Sequence, residues 1–93
     1  MPVFAVSYTY DESHNLDSIR PIHREYLAQL LERGILLASG PFVGSDGALL
    51  IIRAEGLEEV ADHLDKDPFD IAGFITERAI TEWNPVFGPW SKQ

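Results

Sequence analysis

Residues 34–54, Gly34-Ile35-Leu36-Leu37-Ala38-Ser39-Gly40-Pro41-Phe42-Val43-Gly44-Ser45-Asp46-Gly47-Ala48-Leu49-Leu50-Ile51-Ile52-Arg53-Ala54, hold the pattern that decides the fold. Ile35 to Pro41 and Ala48 to Ala54 are apolar runs, and the Asp46-Gly47 step between them is a common hairpin dipeptide. Together they predict an antiparallel pair of strands. The runs do not alternate cleanly: Ile35-Leu36-Leu37-Ala38 and Leu49-Leu50-Ile51-Ile52 put apolar groups on both faces, as strands do when both faces are covered.

Moving outward, each side of this hairpin carries a helix and then a strand. Toward the N-terminus, Ile19, Tyr26, Leu27, Leu30 and Leu31 recur at the spacing of one helical face. Ser18 is the expected N-cap, Pro21 falls in the first turn, where an N–H has no helical partner to lose, and Gly34 is the left-handed C-cap. Toward the C-terminus, Leu57, Val60, Ala61 and Leu64 share a face, with Glu58, Glu59, Asp62 and His63 on the others. Pro68 stops that helix at Asp67, and Phe69 to Gly73 has room for one more turn. Val3 to Thr9 and Phe74 to Trp83 read as the outer strands. The order is βαββαβ, an α+β, ferredoxin-like arrangement: right-handed crossovers put both helices on one face of a four-stranded antiparallel sheet. Residues 1–93 read as a single domain, without repeat or linker.

Helices cover only one face of such a sheet. Val3-Phe4-Ala5-Val6 and the two inner strands leave apolar groups on the other, a patch that monomers rarely expose. A homodimer packed sheet against sheet is the expected cover, with Trp83, Phe87 and Trp90 guarding the edge.

Composition removes several function classes. The net charge of −8 and the lack of any Lys/Arg cluster argue against nucleic acid and anionic membranes as partners. No cysteine is present, which excludes a disulfide framework, a thiolate nucleophile and cysteine-type zinc sites. Three histidines without ligand spacing do not indicate a metal, and no glycine loop for phosphate is seen, so no cofactor is expected. Met1-Pro2-Val3-Phe4 lacks a basic n-region and a long apolar run, so a cytoplasmic address is the default expectation.

The βαββαβ path brings the start of the first helix, the end of the second, Tyr8, Ser39-Gly40-Pro41 and the hairpin to one end of the sheet. A small-molecule pocket is expected there. His23 lies four residues after Ile19 and four before Leu27, on the buried side of its helix. It reads either as a core histidine satisfied by a carbonyl or carboxylate, or as a general base. Asp67 reads either as a helix stop in an Asp-Pro turn or as an anion at the negative end of a helix that needs a compensating donor. Paired, an aspartate orients an imidazole and stabilises its protonated form, as a proton shuttle requires. Arg20 either pairs locally with Asp17 or anchors an anionic or phenolate group. Ser39 and Gly40 offer a hydroxyl and bare backbone, although Gly40 also fits a bulge or close strand packing. Phe69 and Tyr8 are either core or a stacking surface for a flat substrate. His14 and His63 are expected to face solvent.

Arg20-Pro21-Ile22-His23, then Gly34-Ile35-Leu36-Leu37-Ala38-Ser39-Gly40-Pro41, then Asp67-Pro68-Phe69 with Ala72-Gly73, resemble the YCII-related (YciI-like) proteins over nearly the whole chain. The resemblance implies a dimeric α/β barrel similar to muconolactone isomerase and a His-Asp pair, here His23 and Asp67, proposed as catalytic. One activity in that family is dehydrochlorination of a chlorinated hydroxyhydroquinone. The resulting expectation is a small cofactor-independent lyase or isomerase using His23 and Asp67 on a small cyclic or phenolic substrate, with Arg20 steadying developing charge. The alternative is a non-catalytic small-molecule-binding or stress-related accessory protein. The loop Val43 to Gly47 is expected to border the pocket.

Overall fold

The computed structural model describes residues 1–11 and 16–91. Its elements are β1 (Val3–Tyr10), α1 (Arg20–Glu32), β2 (Leu36–Pro41), β3 (Gly47–Arg53), α2 (Leu57–Asp65), α3 (Pro68–Ile71) and β4 (Ile75–Trp83), with a 3-10 turn at Leu16–Ser18 before α1. The strands form one antiparallel four-stranded sheet in the order β2-β3-β1-β4. This is the ferredoxin-like βαββαβ fold. Among the described residues, no helix is long and apolar enough to cross a membrane.

Period-two side-chain alternation builds the core. Phe4, Val6 and Tyr8 of β1, Ala48, Leu50 and Ile52 of β3, and Leu36 of β2 are buried together with Leu30 of α1 and Val60 and Leu64 of α2. Burying each large apolar side chain contributes about 1.5–3 kcal/mol relative to leaving it exposed, so this layer holds the helices to the sheet. The opposite face carries Val3, Ala5, Leu49, Ile51 and Trp83 by register. Val3 and Ile51 are buried there, whereas Leu49 and Trp83 remain 39% and 41% exposed, so this face is partly open.

Several local details differ from the sequence reading. Ile19, not Ser18, is the N-cap of α1, with no side-chain cap bond, because the chain is already turning through Leu16–Ser18. The left-handed turn in the hairpin is at Gly44 (φ +84°). Gly47 opens β3 instead, where a Cβ would collide with the Tyr8 carbonyl oxygen, so glycine is required for space rather than for turning. In the single chain Phe87 is 92% exposed and Trp90 is half-buried.

Two irregularities aim side chains at the functional end. The pairing of β2 with β3 shifts between Leu36 and Ala38, so Leu37 is an extra residue. The slip reverses the faces downstream and puts Ser39 opposite Leu50 on the helix side. A second shift, between Thr9 and Tyr10 in the pairing of β1 with β4, lies where Tyr10 enters the same region.

Candidate functional site

His23 sits one turn into α1 and is 7% exposed; Asp67 lies in the short link between α2 and α3 and is 1% exposed. His23 Nδ1 and Asp67 Oδ1 are 2.7 Å apart. The link does more than stop a helix. Asp67 is the N-cap of α3, where Oδ1 also accepts from the Phe69 backbone N–H at 3.0 Å, and Pro68 fits the first turn. An acidic residue here follows the negative end of α2, as the sequence suggested, and also faces the positive end of α3. Oδ2 accepts from the Tyr8 hydroxyl at 3.1 Å. Three donors therefore converge on one buried carboxylate, satisfying a group that would be costly to bury alone.

Phe69 completes the support. Its ring stacks on the imidazole at 3.9 Å and 9° between planes, and Tyr10 meets its edge at 5.5 Å and 78°. Stacked below and bonded behind, the imidazole is held by two of its surfaces. With Nδ1 committed to Asp67, Nε2 is the nitrogen left for the pocket that His23 lines.

That pocket has a volume of about 290 Å³ and lies between α1, the C-terminal end of β2 and Phe69. Tyr10, Leu27, Pro41, Ala48 and Leu50 make its apolar wall; Arg20, His23, Arg24 and Ser39 are its polar lining, with the Gly40 backbone. A Cβ at Gly40 would meet nothing within 4 Å, and its φ is not left-handed, so close strand packing does not explain that glycine. A wider, more open groove of about 770 Å³ runs past Ser7, Thr9, Phe42, Ser45, Asp46 and Thr76, away from the imidazole. Volume alone would favour it, but His23 and both arginines line the smaller pocket. The hairpin loop borders this groove and not the His23 pocket, contrary to the sequence reading.

Arg20 pairs with Asp17 through Nε at 3.4 Å and lines the pocket as well, so the two readings of this residue coexist. Tyr8, read as core or as a stacking surface, lies one layer behind, its hydroxyl committed to Asp67. Burial, reinforced by the charge of and hydrogen bond to Asp67, pushes the Tyr8 phenol far above its usual range. Burial and then the charge of Asp67 also raise Tyr10, against the opposing pull of Arg20. His63 is not solvent-facing: its side chain is 13% exposed, its carbonyl accepts from Tyr26 at 2.7 Å, and Nε2 is 3.8 Å from Glu59. His14 lies outside the described residues.

Tyr10 and Arg24 were missed as pocket residues. Both had a signal: Tyr10 is two residues from Tyr8 on a strand, and Arg24 is four from Arg20 on a helix.

A ferredoxin-like sheet with a buried His-Asp pair facing a small pocket defines the class. The chain belongs to the YCII-related domain family, whose model matches residues 1–84. It is 30% identical over 95 residues to Protein YciI of Escherichia coli O6:H1 (strain CFT073), an alignment covering 88% of this chain and 97% of that protein. Protein YciI of Shigella flexneri matches with the same identity and coverage. Among solved structures, the chain resembles 5-chloro-2-hydroxyhydroquinone dehydrochlorinase from Burkholderia phenoliruptrix AC1100 in complex with 2,5-dihydroxybenzoquinone. The TM-score is 0.71 at 22% identity, covering 97% of this chain and 99% of that one. An antibiotic biosynthesis monooxygenase aligns with TM-score 0.57 at 14% identity, covering 90% and 97%. At these identities the likeness shows the shared fold.

Proposed function

We propose that this protein is a small cofactor-independent lyase or isomerase, with His23 as general base on a small cyclic or phenolic substrate. The observation that carries this is the 2.7 Å His23–Asp67 contact at a pocket. Nε2 of His23 takes a proton from an activated hydroxyl or carbon. The electron pair left behind moves through the substrate. It either expels a leaving group as an anion, giving a lyase, or takes the proton back at a second atom, giving an isomerase. Asp67 keeps Nδ1 protonated and stabilises the imidazolium, while Arg20 faces the charge that develops on the substrate. The fold shared with a dehydrochlorinase supports this reading, and the pocket favours it over a purely structural partner module. The working unit is proposed to be a homodimer joined by the partly open sheet face.

Replacement of His23 by alanine tests the base. A folded His23→Ala protein is expected to lose ~10²–10⁴ in turnover of lactone or halogenated phenol substrates. Undiminished turnover would remove His23 from the chemistry. If the native protein binds such compounds without transforming them, the non-catalytic binding protein takes precedence.

A further inference from the structure

We infer that the pocket is built for a single-ring carboxylate, with the carboxylate at Arg20 and Arg24 and the ring among Tyr10, Leu27 and Leu50 beside the imidazole. The inference deepens the proposed function and rests on its assignment of this pocket as the substrate site.

The chain carries 7 basic residues against 15 acidic ones, a balance that repels anions in general. Even so, two of those cations line one small pocket. Arg20 and Arg24 are four residues apart on α1, which puts them on one helix face with His23 between. Arg24 has no ion-pair partner among the described residues. The Nε atom of Arg20 is inaccessible to solvent and has no hydrogen-bond partner among them. Its ion pair with Asp17, which is 83% exposed, runs through Nε alone at 3.4 Å and leaves the two terminal nitrogens of the guanidinium available.

Two neighbouring guanidinium forks match the two oxygens of a carboxylate better than the single oxygen of a phenolate. The apolar wall beneath them calls for a hydrocarbon body on the same ligand. At about 290 Å³, the volume is at the lower limit for drug-sized ligands, which suits one ring rather than two.

The test is an NMR titration of the intact protein with benzoate and with its neutral isostere benzamide, repeated in Arg20→Gln, Arg24→Gln and, outside the pocket, Arg33→Gln. Benzoate is expected to bind at least roughly tenfold more tightly than benzamide and to shift His23 and Phe69 signals. That preference should disappear in Arg20→Gln and Arg24→Gln and persist in Arg33→Gln. Equal binding of the two probes, a preference that survives both pocket variants, or no binding of either at millimolar concentration would overturn the inference. Binding is read without turnover: selective benzoate binding by a protein that transforms no ring carboxylate would retire the enzyme reading alone. Turnover of neutral phenols with no anion preference would retire this inference alone.

Discussion

Asp67 is the residue on which the site depends most, because His23, Tyr8 and the Phe69 amide all donate to it. Asp67→Ala leaves three buried donors unpartnered, and breaking a buried pair from one side costs about 3–5 kcal/mol. Chemical denaturation should show a loss of that size. Tyr8→Phe removes one donor and leaves Oδ2 buried without a partner, at a cost of about 1–3 kcal/mol, with turnover reduced less than in His23→Ala. Tyr8 also makes stability depend on alkaline pH. Its folded-state phenol holds its proton far above the ordinary value near 10, so between those limits the unfolded chain binds fewer protons than the folded one. Its contribution is complete below pH ~10 and declines as pH rises above it. Compared with Tyr8→Phe, the native protein should lose about 1.4 kcal/mol more stability per pH unit across that window. Equal alkaline slopes in the two proteins would contradict this.

At the scale of elements, the short α3 positions the dyad, and a four-residue helix does not persist unaided. Arg78 on β4 holds it, with one nitrogen 2.6 Å from Asp70 in α3 and the other 2.7 Å from Asp65 at the end of α2. A partly buried, two-pronged ion pair of this kind is worth more than an exposed one. Arg78→Met should cost about 1–2 kcal/mol and speed exchange of the Phe69 amide proton, measured by hydrogen exchange. Unchanged Phe69 exchange would show that α3 is held by its apolar contacts alone. Most elements were legible, because helix and strand periodicities are local properties of Val3 to Thr9, Leu57 to Leu64 and their neighbours. The clamp was not. Arg78 lies within the last strand, and its two acidic partners come from other elements.

For the whole molecule, the part of the sheet face around Leu49 is what a single chain leaves open, since Val3 and Ile51 on the same face are already buried. Leu49 lies near its middle, flanked in register by Ser7 and Gly40. Light scattering should give twice the chain mass at micromolar concentration. Leu49→Asp, which would bury an unpaired charge in the interface, should yield a folded monomer. A native monomer would remove the sheet-to-sheet dimer.

The sequence by itself determined the element order, the sheet topology and the meeting of His23 with Asp67. Periodicity sets the elements, and the handedness of crossovers leaves few ways to connect them. Only the tertiary structure decided how Asp67 is satisfied, that Ser39 faces the helices, and that Arg24 and Tyr10 join the pocket. A carboxylate's partners arrive from strand, helix and loop. One extra residue at Leu37 reverses which face every later β2 side chain takes, and that slip is set by pairing with β3 rather than by anything local to β2.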